Sequence, residues 1–234
     1  MSTKKIKTIG ILGGMGPLAT VNLFQKIIKT AQEKYHAIQD TDFPPVVIYS
    51  LPLFGFDETG LVNLDLVKDQ LIIGVKKLES AGSDFIIIAC NSVHYFLEDM
   101  QKSISIPILN MIKETAKQAK LSNYNRVGII CSESTSKLGI YEKEISQLGM
   151  ETVKLEGEEQ VIVNNIILRI MAGQNGDQDK LKLKEIIKNM VSKGAEGILL
   201  GCTEIPLAIN QEGVEIKIFD SNQIIAEAAL RQVF

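Results

Sequence analysis

The chain of 234 residues is long enough for one large domain or two smaller ones, and its 45% hydrophobic and 23% charged residues are typical of a globular protein. A net charge of −3 argues against a nucleic-acid-binding protein, whose surface carries a basic excess. Three cysteines without a CxxC pair exclude a disulfide scaffold and argue against structural zinc. Apolar runs such as Phe85–Cys90 are far shorter than the roughly 20 residues that span a bilayer. Because glycines soon interrupt the apolar stretch after Met1–Lys5, we also expect no signal peptide and a cytoplasmic protein.

Short β-branched segments alternate along the chain with longer amphipathic ones, which is the pattern of βα units around parallel sheets. The predicted strands are Ile6–Leu12, Val46–Ser50, Phe85–Cys90, Ile106–Leu109, Arg126–Cys131, Thr152–Leu155, Gly197–Cys202 and Ile216–Asp220. The predicted helices are Pro17–Glu33, Val62–Ser80, Ser92–Gln101, Ile112–Lys120, Thr135–Leu148, Glu158–Ala172, Asp179–Lys193 and Asn222–Gln232. Several strands are apolar on both faces, as expected where helices cover both sides of a sheet. The predicted fold class is therefore α/β.

The chain contains an internal duplication. Gly82–Asn91 aligns without a gap over Gly194–Thr203, and both segments contain a glycine, an acidic residue, three consecutive apolar residues and a cysteine. Upstream of these, Thr8–Leu12 is similar to Arg126–Ile130, and both pairs are separated by about half the chain. We therefore predict two similar α/β halves, each with a strand that ends in a cysteine.

Cys90 and Cys202 follow matched strands in the two halves. Ligands of open α/β sheets bind beyond the carboxyl ends of the strands, so two halves facing each other would bring both sulfurs to one ligand from opposite sides. A thiolate on one face of a carbon and a thiol on the other can invert a stereocentre by removing and returning a proton. The alternative is that each cysteine is a small buried apolar residue, which is our interpretation of Cys131.

The residues after the two cysteines suit an anionic ligand. Asn91 and Ser92 follow the first cysteine, and Thr203 and Glu204 follow the second, so that hydroxyls, an amide and backbone N–H groups lie at two helix starts. Ser92 and Thr203 are equally good ordinary helix caps, and the two roles are compatible.

A glycine-rich loop follows the first predicted strand. Gly14, Gly16 and Ala19 satisfy a variant of the dinucleotide fingerprint, but Ser50–Pro52 stands where an acidic residue would hold a ribose. We therefore favour a loop whose backbone N–H groups face a small carboxylate over a nicotinamide site, which remains the weakest alternative.

His94 lies four residues after Cys90 and would share its side of a helix. A Cys–His nucleophile pair is one interpretation, and a structural hydrogen-bonding histidine is the one we favour. Zinc binding by Cys90, His94 and Cys202 lacks a recognised ligand spacing, and we predict no metal site.

Together these motifs resemble the aspartate/glutamate racemases, which work without pyridoxal phosphate. The resemblance covers essentially the whole chain, with its strongest landmarks at Gly13–Thr20, Ala89–His94 and Gly201–Glu204. Weaker landmarks are Asp42–Pro44, Pro107–Met111 and Val127–Ile129 with Thr135.

The resemblance implies two α/β domains related by pseudo-twofold symmetry, with a cofactor-free active site between them. The first domain would comprise residues 1–104 with a returning segment 207–234, and the second residues 105–206. Homodimers are common in the family. Cys90 and Cys202 would be the acid/base thiols, while Met15, Asn91, Ser92 and Thr203 would hold the α-carboxylate and the amino group.

The loop after the second predicted strand departs from the family. Many aspartate racemases carry an arginine there that binds the side-chain carboxylate, whereas Leu51–Glu58 is apolar and then acidic. The chain has only three arginines, Arg126, Arg169 and Arg231. Because an acidic side chain is costly to desolvate without a cation, aspartate does not follow as the substrate unless Arg169 or a lysine compensates. A less acidic or apolar amino acid, or a related α-carbonyl compound, is the alternative.

The sequence thus predicts a cofactor-independent amino-acid racemase that uses two cysteine thiols, with a small-molecule substrate that is an amino acid or a related carboxylate. We expect neither a nucleic-acid nor a membrane partner. Two alternatives remain open: a related cysteine-pair isomerase, decarboxylase or hydantoin racemase, and a non-catalytic amino-acid sensor.

Overall fold

The computed structural model describes residues 6–57, 60–61 and 63–234. Met1–Lys5, on which the signal-peptide prediction depended, and Val62, the predicted first residue of the second helix, lie outside this part of the chain. Its strands are β1 (Ile9–Gly13), β2 (Val46–Ser50), β3 (Phe56–Asp57), β4 (Gly60–Leu61), β5 (Phe85–Ile88), β6 (Arg126–Ile130), β7 (Glu151–Val153), β8 (Gly197–Leu200) and β9 (Lys217–Asp220). Its α-helices are α1 (Pro17–Tyr35), α2 (Leu64–Ser80), α3 (Leu97–Lys102), α4 (Met111–Leu121), α5 (Glu133–Leu138), α6 (Ile140–Gln147), α7 (Glu158–Met171), α8 (Asp177–Ser192) and α9 (Ser221–Val233).

The fold is built on two parallel sheets, and the first three strands of each have equivalent positions. The first has the order β2-β1-β5 and the second β7-β6-β8-β9. The first sheet has only a single parallel bridge, between Ile86 and Ile108, at the position that β9 occupies in the second sheet, where β9 pairs with β8. The predicted strand Ile106–Leu109 is limited to this bridge, and Pro107 within it has no N–H to donate to a longer ladder.

The register of the sheets confirms the duplication. Ile9 pairs with Phe85 in the first sheet, and Val127 pairs with Gly197 in the second. These are the residues that the sequence alignment of the two halves superimposes. The parallel α/β fold class is confirmed as well.

Helices cover both faces of each sheet. Phe85 and Ile87 of β5 face a core shared with α1 and α9, whereas Ile86 and Ile88 face a core shared with α2. In the second sheet, one face packs on α7 and α8 and the other on α4 and α6. The strands are therefore buried on both sides, as the apolar runs predict.

Three local features differ from the prediction. The segment after β5 begins as a 3₁₀-helix (Ser92–Phe96) and becomes α-helical only in α3. The predicted helix Thr135–Leu148 is divided into α5 and α6 at Gly139, whose φ of 62° is the left-handed conformation that glycine tolerates. A short hairpin, β3–β4, follows β2 within the loop that the sequence left without structure.

The end of the chain connects the two halves. β9 belongs to the second sheet, so the return toward the first half begins only with α9. α9 packs against α1 of the first half and also against α4. In the part of the chain that the structure describes, no helix is long and apolar enough to cross a membrane.

Candidate active site

A small cleft lies where the carboxyl ends of the central strands of both sheets meet. Its lining residues are Met15, Phe56, Cys90, Asn91, Ser92, Ser132, Thr135, Cys202, Thr203 and Glu204. Four of the contributing segments directly follow β1, β5, β6 and β8, the place where parallel α/β sheets bind ligands. Seven of the nine site residues predicted from the sequence line this one cleft, and the other two, Gly14 and Gly16, lie in the loop after β1.

Both predicted thiols reach the cleft from equivalent positions. Cys90 follows the end of β5 and Cys202 follows the end of β8, and both are buried, at 5% and 8% exposure. The residue before each is fixed by a matching backbone hydrogen bond, from Ala89 N–H to Leu12 and from Gly201 N–H to Ile130. None of the three cysteines is in a disulfide. The duplicated segments therefore present two thiols to one cavity.

Glu204 connects the second thiol to the glycine-rich loop. Its Oε2 accepts hydrogen bonds from the Cys202 thiol at 3.1 Å and from the Thr203 hydroxyl at 3.0 Å. Its Oε1 accepts from the Gly16 N–H at 2.9 Å. The carboxylate is thus buried at the cleft wall and is held by groups from both halves of the chain.

The glycine-rich loop uses its N–H groups differently from the prediction. Gly14 donates to the Thr20 hydroxyl at 2.9 Å, and Gly16 donates to Glu204. Gly14 also has a φ of 93° and leaves no room for a Cβ beside the Leu51 backbone. The two amides therefore meet the chain's own side chains, and Met15 is the loop residue that lines the cleft.

A cluster of four buried hydroxyls lies at one wall of the cleft, and three of them, all but that of Ser134, line it. Ser92 comes from the first half, and Ser132, Ser134 and Thr135 come from the start of α5. The Ser92 and Thr135 oxygens are 2.6 Å apart, and those of Ser132 and Thr135 are 3.1 Å apart. Hydroxyls can donate or accept as needed, so this cluster can bind an anionic or a neutral polar group.

Two hydrogen bonds to residues outside the cleft lining hold the Asn91 side chain in place. The Tyr141 hydroxyl donates to its Oδ1 at 2.7 Å, and its Nδ2 donates to the Ser221 hydroxyl at 3.3 Å. Burial raises the pKa of Tyr141, so the phenol stays neutral and keeps the proton that it donates. Asn91 also lines the cleft, and its amide nitrogen carries a second N–H beside the one that it donates to Ser221.

His94 is a structural residue rather than a base for Cys90. Its Nδ1 lies 2.8 Å from the Cys90 carbonyl, and its Nε2 accepts the Met111 N–H at 3.2 Å, so the proton is on Nδ1. Burial lowers the pKa of His94 from 6.5 to about 4. The histidine is therefore neutral and joins the segment after β5 to the start of α4, as the favoured interpretation of the sequence expected.

The three arginines have partners outside the cleft. Arg169 Nε donates to Asp179 at 3.0 Å, and this guanidinium lowers the pKa of the Asp179 carboxyl. Arg126 pairs with Glu151, and Arg231 pairs with Glu114. Among the described residues that line the cleft there is neither a lysine nor an arginine.

The remaining candidates for chemistry lie outside the cleft or do not form a site. Cys131 is packed in the core of the second half, where burial raises the pKa of its thiol, so the interpretation as a core residue is supported. Over the described residues, no group of three His, Cys, Asp or Glu side chains could hold a metal ion.

Sequence reasoning missed Phe56, Ser132 and the supporting Tyr141. Phe56 reaches the cleft from the β3–β4 hairpin, and no local pattern predicted that hairpin. Ser132 could have been predicted, because the duplication makes the segment after β6 equivalent to the glycine-rich loop that follows β1. Thr135 had been noted only as a weak landmark.

Comparison with known proteins agrees with this architecture. The family model Asp/Glu/Hydantoin racemase matches residues 12–229. The broad specificity amino-acid racemase RacX of Bacillus subtilis (strain 168) is 31% identical over 222 residues, covering 95% of this chain and 96% of the relative. The glutamate racemase of Persephonella marina is 32% identical over 200 residues, covering 80% and 73% of the two chains.

A solved structure extends the comparison to the fold. The aspartate racemase homologue from Pyrococcus horikoshii OT3 superimposes with a TM-score of 0.79 at 32% identity, covering 97% of this chain and 99% of the other. Residues 12–229, which the family model matches, include all the residues that line the cleft. The chain belongs to the Asp/Glu/Hydantoin racemase family.

Proposed function

We propose that the protein is an amino-acid racemase that works without a cofactor and uses Cys90 and Cys202 as its two acid/base groups. The observation that carries the proposal is that both thiols, from duplicated positions, line one cleft between the two sheets. An inverting proton transfer needs one base and one acid on opposite faces of Cα, and one thiol from each half of the chain is consistent with this requirement.

The proposed reaction balances with the two thiols alone. One sulfur, as thiolate, takes the Cα proton, and the electron pair of the broken C–H bond is delocalised into the substrate carboxylate. The other sulfur, as thiol, delivers its proton to the opposite face of Cα. The negative charge has then moved from the first sulfur to the second.

The transition state adds charge to the substrate carboxylate, so donors must face it. The hydroxyl cluster and the Asn91 amide are the available neutral donors of the cleft. They suit a carboxylate that gains charge as the proton leaves. We propose that Ser92, Asn91, Thr203 and Met15 hold the amino acid's common part.

We further propose that the preferred substrate carries no negative charge on its side chain. The described cleft residues include no cation, Arg169 is paired with Asp179, and Met15 and Phe56 contribute apolar surface. Desolvating a second carboxylate against such a surface is costly. The similarity to a relative named for broad specificity agrees with this proposal.

A panel of L- and D-amino acids in D₂O tests the proposal. Proton NMR follows the loss of the Cα–H signal, and chiral chromatography follows inversion. We expect exchange with inversion for uncharged amino acids and much slower exchange for aspartate and glutamate. Conversion of a hydantoin enantiomer, release of CO₂, or binding of an amino acid that is recovered unchanged would instead identify one of the alternative functions.

We also propose that the protein is a cytoplasmic homodimer, as the family resemblance implies. Light scattering on the purified protein should give twice the mass of one chain. A mass equal to a single chain at assay concentration would contradict the dimer without affecting the proposed chemistry.

A further inference from the structure

Tyr141 is a buried residue outside the cleft lining that contacts both of the segments that carry the thiols. It is 1% exposed and belongs to α6 of the second half. Its hydroxyl donates to Oδ1 of Asn91, the residue after Cys90, at 2.7 Å. Its ring packs against Gly201, the residue before Cys202, where an added Cβ would lie 2.9 Å from the ring. The ring is therefore held by the second half, and its hydroxyl reaches the first.

The duplication shows that this contact belongs to one half. Gly201 aligns with Ala89, so the first half has a methyl group at the position where the second half has none. A Cβ at Gly201 would meet the Tyr141 ring and would also lie 3.2 Å from the Cβ of Cys131. The lack of a side chain at Gly201 therefore gives the tyrosine ring its place.

The hydrogen bond from Tyr141 decides which end of the Asn91 amide a ligand meets. An asparagine side chain has an acceptor at Oδ1 and two N–H donors at Nδ2. Here Oδ1 accepts the phenol proton, and Nδ2 donates one N–H to the Ser221 hydroxyl at 3.3 Å. The Ser221 hydroxyl can donate or accept, so it would permit either orientation of the amide. A phenol is a better donor than acceptor, because its lone pair is delocalised into the ring, and it therefore selects Oδ1.

We propose that Tyr141 is a positioning residue that fixes the direction in which an amino acid binds, because it leaves Asn91 with an N–H rather than a carbonyl oxygen for the ligand. This inference rests on the proposed function, in which Asn91 contacts the common part of the amino acid. An N–H binds the substrate carboxylate, whereas the oxygen of a reversed amide would bind the ammonium group. The carboxylate then lies on the Asn91 side of the cleft, which gives Cα one position relative to the two thiols.

Two small ligands separate the two ends of the substrate. Propionate is alanine without its amino group, and ethylamine is alanine without its carboxylate. NMR titration measures the Kd of each for the unmodified protein, for Tyr141→Phe, for Asn91→Ala and for the double variant. Phenylalanine keeps the ring that packs on Gly201 and removes only the hydroxyl. Tyr124→Phe is the matched control, because Tyr124 packs edge-on against Phe219 in the core of the second half, outside the cleft lining.

We expect Tyr141→Phe to raise the Kd of propionate about 10-fold and to change that of ethylamine by no more than about twofold. The same substitution added to Asn91→Ala should change neither Kd by more than about twofold, because the tyrosine acts through the amide. Racemisation of an uncharged amino acid by Tyr141→Phe should lose about 10-fold in kcat/KM. Tyr124→Phe should leave all three quantities unchanged.

Asn91→Asp tests the inference without changing Tyr141. Aspartate has nearly the shape of asparagine and keeps an acceptor for the phenol, but it has no N–H for a carboxylate. We expect this variant to lose at least about 10-fold in propionate affinity and to retain ethylamine binding. Propionate binding equal to that of the unmodified protein would contradict the inference.

Equal losses for propionate and ethylamine in Tyr141→Phe would also overturn the inference, because Tyr141 would then support the whole site rather than one end of the substrate. An unchanged propionate affinity, or the same loss with and without the Asn91 amide, would overturn it as well. A protein that shows the expected binding pattern but racemises no amino acid would refute the proposed function and support the role of Tyr141. A racemase that binds no propionate would contradict the role of Tyr141 alone.

Discussion

The hydroxyl pair Ser92–Thr135 joins the two halves of the cleft through one short contact. Its oxygens are 2.6 Å apart, and both residues are buried. A pair of this kind donates to a charge that grows in the transition state, because its geometry is set before the substrate binds.

We predict that Thr135→Val lowers kcat/KM for racemisation by about 10- to 100-fold, whereas Thr135→Ser retains most of the activity. The physical reason is that valine has nearly the volume of threonine but no hydroxyl. Steady-state kinetics on both variants check this. Equal activity of the valine and serine variants would exclude a role for the hydroxyl.

Protonation of His94 makes the stability of the folded protein depend on pH, independently of catalysis. Its folded pKa of about 4 lies below the ordinary 6.5, so the unfolded chain binds more protons between these values. The stabilisation from the neutral ring is complete above pH 6.5 and is lost as the pH falls toward 4, by about 3 kcal/mol in total.

We therefore predict that His94→Gln is less stable than the unmodified protein at pH 7 and that the difference shrinks markedly at pH 4.5. Urea denaturation at the two pH values measures it. The matched control is His36→Asn, since His36 is the only other histidine, is exposed, and has a positive φ that asparagine tolerates. A difference that is independent of pH would contradict the buried neutral histidine.

At the scale of elements, α9 holds the two halves together, and Asp220 fixes its start. Asp220 Oδ1 accepts the N–H groups of Asn222 and Gln223, and its Oδ2 pairs with Lys26 of α1 at 2.8 Å. One carboxylate thus caps α9 and connects it to a helix of the other half.

We predict that Asp220→Ala lowers the free energy of unfolding by about 1–3 kcal/mol, and that Asp220→Asn, which keeps the cap, costs less. Chemical denaturation measures both. Asn110→Ala removes the cap of α4 without touching an ion pair and serves as the control. Equal costs for the alanine and asparagine variants would mean that the cap contributes nothing, because the asparagine variant loses only the pair with Lys26.

Most of the elements were predictable because the helices have a local apolar period and the strands of the two parallel sheets are short apolar runs. The register follows the duplication, since Ile9 and Val127, which the alignment of the two halves superimposes, occupy equivalent positions in the two sheets. The β3–β4 hairpin was not predicted, because its short strands lack a periodic pattern. The same limit applies to contacts between distant segments: Glu204 with Gly16 and Tyr141 with Asn91 depend on how the halves meet.

At the scale of the molecule, the halves share several contacts around the cleft. Gly16 binds Glu204, Ser92 contacts Thr135, and α9 packs on both α1 and α4.

We predict that calorimetry shows one cooperative transition. A bound substrate at about 100 times its Kd should stabilise the whole molecule by about 2.7 kcal/mol. Two transitions, with only one shifted by the substrate, would contradict a site built by both halves.

The most direct test of the central claim compares the unmodified enzyme with Cys90→Ala and Cys202→Ala. The measurement is racemisation of the best substrate in D₂O, followed by proton NMR at Cα and by chiral analysis. We predict that each variant loses about 10²–10⁴-fold or more of the racemisation rate while its circular dichroism is unchanged. Full racemisation by either variant would contradict a reaction that needs both thiols.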